Sequence, residues 1–463
     1  MLFIQIRSLH ALAQPKRIAV IGGGASGMFS AAAAASYIQQ HGLNAEVHVL
    51  EATSSLMSKV KISGGGRCNV LHDTQKPVSE ILNGYPRGKK ELNGLFQKHF
   101  SPSDARRWFE ERGVELKTEL DGRMFPTTDS SLTIMDTIRH AAEKNHAQIK
   151  TKQKVLSITH SDSDDDDRDE GYYISLQNAQ KQEEVNHYSA VILATGSNPR
   201  GYKMAQELGL KVNPPVPSLF TFNTKNQNKE GQVFHNLSGL SVQDATITLK
   251  IKMEGKKKKK IISQEGPILI THHGLSGPAA LRLSAFAAKE FKDMNYRGDV
   301  FINWAPSFGN AVEIEKILWP MTSIAPKKKV SSVCPLLDEN GSSVIPKRLW
   351  AALVKQSDIE PDQIWAETSK KKVGKLSRNI AEFVVDVTGK GVFKDEFVTA
   401  GGVSLKQLNM KTLESKKFPG VYFCGELIDV DGITGGYNFM NCWSTGYMSG
   451  TSCAMSLEES NEE

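Results

Sequence analysis

Cysteine is scarce in this 463-residue chain: Cys68, Cys334, Cys424, Cys442 and Cys453 are its five, too few and too scattered for a disulfide scaffold. No C-x-x-C or C-x-x-x-x-C pair occurs, which excludes a zinc ribbon and a dithiol redox centre, and no metal site is expected. Apolar runs stay short of the roughly 18 residues a spanning helix needs. Charge of one sign is also lacking. Lys and Arg number 57 against 51 Asp and Glu, a formal +6, and five of the lysines fall in one run, Lys256–Lys260. So mild an excess argues for no stable nucleic-acid partner. The opening segment has no acidic residue before Glu46. Residues 1–15 read as a short disordered leader on a cytoplasmic protein, with a mitochondrial or plastid transit peptide as the alternative.

What is present is globular: 39% hydrophobic and 23% charged residues, with length for two to four domains. KRIAVIG (16–22) is an apolar run ending in glycine, the mark of a buried parallel strand. An Ala-rich, proline-free stretch from Ser26 to Gln40 reads as a helix, and AEVHVL (45–50) as the next strand. Together they form a βαβ unit. AVILATG (190–196) and FPGVYFCG (418–425) repeat the apolar strand signature. After Pro199 proline punctuation and β-branched runs take over, and ATITLKIKM (245–253) with IISQEGPILI (261–270) predicts a hairpin around the lysine run. The expected fold is α/β, with a discontinuous Rossmann-type domain (16–199 and 395–463) interrupted by an inserted domain (200–394). The Asp-rich run near 162–169 and the lysine run both read as solvated loop tips.

The first chemical signal is G-G-G-A-S-G (22–27). Gly22 permits the tight turn out of the strand, Gly24 lets backbone approach a pyrophosphate, and Gly27 lets the helix pack close. Ala25 and Ser26 open the helix, whose unbonded N–H groups and dipole favour phosphate. Glu51, 24 residues past Gly27, ends the next strand, where a carboxylate accepts from both ribose hydroxyls and repels a 2′-phosphate. FAD is favoured over NAD for three reasons. No second G-x-G-x-x-G follows. Ala194-Thr195-Gly196 can return the chain beside the pyrophosphate. Gly425-Glu426 ends another apolar strand, where an acid can hold a ribityl hydroxyl that NAD lacks.

Three further clusters extend the site. SGGGRCN (63–69) places Arg67 in a loop whose glycines permit positive φ, as an anion or flavin-carbonyl partner. Asn69 can cap or hydrogen-bond a ring edge, and Cys68 is most simply a small packing residue. In DGITGGYNFMNCWSTG (431–446), Gly435, Gly436, Tyr437 and Asn438 lead into a small-residue helix. Its N-terminus would stabilise negative charge on a flavin pyrimidine. THHGLSGP (271–278) offers His272 and His273 as proton donors to a substrate, or as histidines satisfied at a domain interface.

Together with R-M-F-P (123–126) and T-A-G-G-V (399–403), these motifs resemble the BaiN/YhiN-type flavoproteins, an aminoacetone-oxidase-like FAD-binding family, from about residue 16 to 452. The resemblance implies a two-dinucleotide-binding-type FAD domain with an insert that is part β-barrel-like and part helical. It implies noncovalent FAD held by the residues named above, with Val155 contacting adenine through its backbone. The implied activity is an FAD-dependent oxidoreductase passing hydride between flavin N5 and a small organic substrate in a cleft under the insert, with NADH or NADPH as transient reductant. Two other readings stay open: an FAD-dependent tRNA-modifying enzyme, and a non-catalytic flavin-binding module. The chain departs from the family pattern at Ser197, where a further glycine is usual, and at Phe220-Thr221.

Overall fold

The computed structural model describes residues 14–161, 170–224, 228–252, 259–391 and 398–459. The leader, the Asp-rich run and the centre of the lysine run lie outside these. The chain divides into two compact units, one built from the stretches up to Pro215 and from Gly401 onward, the other from Val216–Ala400. The helix Pro199–Glu207 stays with the first unit rather than opening the insert, because Tyr202, Met204 and Ala205 are buried there.

The first unit is built on a parallel sheet. Its strands are β1 (Lys16–Ile21), β2 (Ala45–Leu50), β3 (Gln148–Lys150), β4 (Ala190–Leu193) and β5 (Val421–Phe423), in the order β5-β4-β1-β2-β3. The expected Rossmann-type α/β topology is therefore present. Ile18, Ala19, Val20, Val49, Val191, Ile192 and Leu193 are fully buried, which is why these strands read as unbroken apolar runs. Helix α1 (Ala25–His41) connects β1 to β2. A short α2 (Ser58–Ile62) follows, and α3 (Tyr437–Glu459) closes the chain. The antiparallel strands Lys154–His160, Tyr172–Gln177 and Glu183–Tyr188 make a separate three-stranded sheet.

The close crossing of α1 and α3 positions the site. A Cβ at Gly446 would lie 2.7 Å from the Ser26 carbonyl oxygen, and one at Gly450 would collide with that of Ser30. Two glycines one turn apart thus bring the two backbones together. Around the seam Phe29 packs on Trp108 and Trp443 at centroid distances of 4.4 and 5.3 Å.

The second unit holds two antiparallel sheets and a helical part. The predicted hairpin forms, as Thr246–Lys252 pairs with Lys259–Glu265. Ile268–Ile270 belongs to the other sheet, because the Gly266-Pro267 turn breaks the run. The inner face of the hairpin's sheet (Ile247, Leu249, Val300, Ile302, Val385) is fully buried against Ala279, Leu283 and Ile380.

Candidate functional site

The glycine turn between β1 and α1 lies at the carboxyl ends of the parallel strands. Gly22 has φ +107°, and its Cβ would meet the Ala194 carbonyl oxygen at 2.6 Å. A side chain at Gly27 would collide with the carbonyl of Gly22 and approach the Ala194 methyl at 3.1 Å. Gly24 differs. Its backbone is extended (φ −78°, ψ −169°) and no atom lies within 4 Å of a Cβ built there. Neither strain nor packing asks for glycine at that position. The first helical bond runs from Met28 N–H to Gly24 C=O. The N–H groups of Gly24, Ala25, Ser26 and Gly27 have no acceptor among the described residues. Unspent donors opening on empty space are what a phosphate cradle requires.

Glu51 sits beside this turn. Its Oε2 accepts from Gly23 N–H at 2.8 Å, and its Oε1 accepts from Thr53 N–H and Oγ1 at 2.8 Å each. The parallel register that pairs Ile21 with Leu50 brings the two strand ends level. Thr195 and Gly196 line the opposite side. The Thr195 hydroxyl is buried with no hydrogen-bond partner. Gly196 has φ +59°, and its Cβ would lie 3.7 Å from Glu426 Oε2. Gly425 has φ +70° and presses on Ser26, leaving no room for a side chain. Lys59 of α2 donates to Glu426 Oε2 at 2.7 Å and to Ser197 Oγ at 2.9 Å. Lys59 escaped sequence reasoning, since it pairs with an acid 367 residues away.

The glycine-rich loop meets the turn before α3. Gly64, Gly65 and Gly66 all have positive φ, as does Cys68 at +60°. With its amide oriented to satisfy both neighbours, Asn69 donates to Leu71 C=O and accepts from Gly436 N–H, each at 3.1 Å. Arg67 lies 4.0 Å from the Phe125 ring centroid and donates to Glu119 at 2.8 Å, which Arg123 also contacts at 2.9 Å. Burial pushes the Cys68 thiol up to about 12, so it is protonated near neutral pH and serves packing. The Asn438 side chain is spent on its own loop, accepting from Gly432 N–H at 2.8 Å and donating to Gly432 C=O at 2.9 Å. The Val155 carbonyl accepts from Arg200 at 2.6 Å. His272 and His273 are solvent-exposed in the second unit.

Two supports have no local sequence signal. Arg87 and Asp431 form a two-pronged ion pair with side chains 13% and 0% exposed. It ties the segment before Gly88 to the start of the Asp431–Asn438 loop. His72 stacks on Tyr437 at 4.7 Å, and its Nδ1 lies 3.0 Å from the Gly435 carbonyl. That geometry makes Nδ1–H the donor. Burial lowers the His72 pKa, and the same cause, followed by Lys150, lowers that of His48. Both therefore bind a proton less readily in the folded protein than in the unfolded chain. Below the ordinary imidazole value of about 6.5 the unfolded chain takes up protons that the folded one refuses, so stability falls with pH there and is flat above. We expect urea midpoints to drop between pH 7.5 and 5.5, and His72→Gln to reduce the drop. A variant with an unchanged pH profile would show that His72 does not contribute.

A family profile described as HI0933-like protein Rossmann domain matches residues 16–452. The chain is 28% identical over 449 residues to the ribosomal RNA dihydrouridine synthase of Haemophilus influenzae, covering 95% of this chain and 97% of that protein. It is 26% identical over 452 residues to the 3-dehydro-bile acid delta(4,6)-reductase of Clostridium scindens, covering 95% and 99%. Among solved structures, the 3-ketosteroid-delta4-(5alpha)-dehydrogenase of Rhodococcus jostii superposes with a TM-score of 0.47 at 13% identity, over 96% of this chain and 98% of that one.

Proposed function

The chain belongs to the HI0933-like Rossmann-domain family of FAD-dependent oxidoreductases, and from that premise we propose that it reduces a carbon–carbon double bond conjugated to a carbonyl group. The names of both relatives describe saturation of such a bond, in a uracil ring of RNA and in a 3-oxo bile acid. The observation that carries the cofactor half of the reading is the open space at Gly24, faced by unspent N–H groups and flanked by Glu51.

In this reading Gly22 and Gly24 to Gly27 receive the pyrophosphate of noncovalent FAD. Glu51 turns from Gly23 and Thr53 to the adenosine ribose. Thr195 Oγ1 and the Ala194–Gly196 turn gain the polar partner that Thr195 lacks, and Glu426 exchanges Lys59 for a ribityl hydroxyl. The Arg67–Asn69 loop and the Gly435–Asn438 turn embrace the ring system, and Val155 supports the adenine. When bound, the flavin supplies the hydride through N5, renewed from NADH or NADPH. The first turn of α3 would offer its positive end to the negative charge of a reduced ring. His272 and His273, both exposed in the second unit, remain the proposed proton donors.

The test is direct. Purified protein should release one flavin per chain on heating. Under anaerobic conditions its flavin should bleach with NADH or NADPH, tried in separate cuvettes, and a 3-oxo-4-ene steroid or uridine-containing RNA should restore the colour. Colourless protein that cannot be reconstituted with FAD sinks the cofactor assignment. Reduced flavin that reoxidises no faster with either enone sinks the substrate class.

A further inference from the structure

The positive charge of the chain is confined to one of its units. Residues 216–400 carry 27 Lys and Arg against 19 Asp and Glu, a net +8, while the remainder carries 30 against 32, a net −2. Within the second unit the charge is further concentrated. Backbone pairing lays the lysine triplet Lys327–Lys329 along residues 363–366, just ahead of a second triplet, Lys370–Lys372. Trp365 N–H donates to Lys328 C=O and Ala366 N–H to Pro326 C=O, each at 3.0 Å, and Val330 N–H donates to Gln363 C=O at 3.0 Å. Ser369 then caps the helix Lys370–Ala381, so the second triplet fills its first turn. Residues 326–332 and 358–378 together hold eight basic and four acidic side chains.

Two of those acids are already used. Asp362 pairs with Lys329, and Asp358 pairs with Lys375 at 2.6 Å. Lys372 donates to Gln363 at 3.0 Å. The side chains of Lys327, Lys328, Lys370 and Lys371 are exposed and make no hydrogen bond or ion pair among the described residues, with Lys371 acting only at longer range on Asp358. Glu360 and Glu367 are the remaining acids of these segments. Lysines in a first helical turn oppose the helix dipole, whose positive end asks for acids. Such an arrangement is relieved by a polyanion that meets the lysines and the helix end together.

We infer that this lysine ledge is a docking surface for the phosphate backbone of RNA. It deepens the proposed function by naming the carrier of the reducible ring, and it rests on that reading for the choice of RNA. The surface itself does not depend on flavin. Lysine ammonium groups without a rigid fork read phosphate spacing and not base sequence. The ledge therefore supplies affinity, and sequence choice is made elsewhere.

The experiment uses the full chain with its flavin, a fluorescein-labelled RNA stem-loop and fluorescence anisotropy. Salt is varied between about 50 and 200 mM. Replacing Lys327, Lys328, Lys370 and Lys371 together by Ser should weaken binding at least tenfold at the low-salt end. It should also flatten the plot of log affinity against log salt by about 0.7 to 0.9 per lysine removed. The matching fourfold Arg variant should bind like the parent, since charge is kept. Flavin absorbance and the bleaching rate with NADH or NADPH should stay unchanged in both. A Ser variant with the parental affinity and slope overturns the inference. So does an Arg variant that loses binding, or a parent that holds phosphatidylserine vesicles through these lysines and ignores RNA. Lysine-dependent RNA binding by a protein that takes no flavin would sink the cofactor assignment alone.

Discussion

Gly24→Val should fold and lose its flavin. The backbone at Gly24 is extended and open to any residue, and a Cβ built there meets nothing within 4 Å. Gly24 is the N-cap of α1, where valine is poorer than glycine by about 1 kcal/mol, a cost the fold bears. The same side chain would stand in front of the free N–H groups of α1, where a phosphate has to come within hydrogen-bond distance. We expect flavin affinity to fall at least tenfold, or ~1.4 kcal/mol. Gly27→Val is the contrasting control, since its side chain runs into backbone at Gly22 and should prevent folding. Thermal melting of the apoproteins and fluorescence titration with FAD separate the two effects. A Gly24→Val protein with parental FAD affinity would show that the space holds no cofactor.

The second large effect is expected at the buried ion pair. Asp431 has a side chain with no exposed surface and Arg87 is nearly as enclosed. Removing one partner leaves the other charge buried without its counter-charge, which costs about 3–5 kcal/mol. For a unit of this size that corresponds to a melting temperature lower by about 5–9 °C. Arg87→Met and Asp431→Leu should each show the loss, and the double variant should recover much of it. The loss should also reach the flavin, because the pair anchors the loop that carries Gly435 and Gly436. Single variants that melt within about 2 °C of the parent would mean that the pair adds nothing net.

Sequence legibility followed distance along the chain. The β1–α1–β2 unit, its glycine turn and Glu51 could all be read because parallel pairing of β1 with β2 fixes where each strand ends. The hairpin at Thr246–Lys252 and Lys259–Glu265 could be read because its antiparallel strands are near neighbours in the chain. The role of Asn438 could not. A carboxamide after two glycines suits a ring edge equally well, and only the bend at Gly432 turns it back on its own loop. Likewise nothing local sets Val155 against Arg200, or His72 against Gly435. His272 and His273 could be named but not chosen between, since both are exposed.

By itself the sequence determined the class of the fold, the place of the glycine turn, and the acid beside it. Strand alternation, glycine conformation and helix-start chemistry act over a few residues and leave their marks in order. The tertiary structure alone decided which distant groups would meet: Lys59 with Glu426, Arg87 with Asp431, and the two lysine triplets on one ledge. Side-chain charge has no periodicity that announces a partner hundreds of residues away. Its energy depends on separation and burial, and these exist only once the chain has packed.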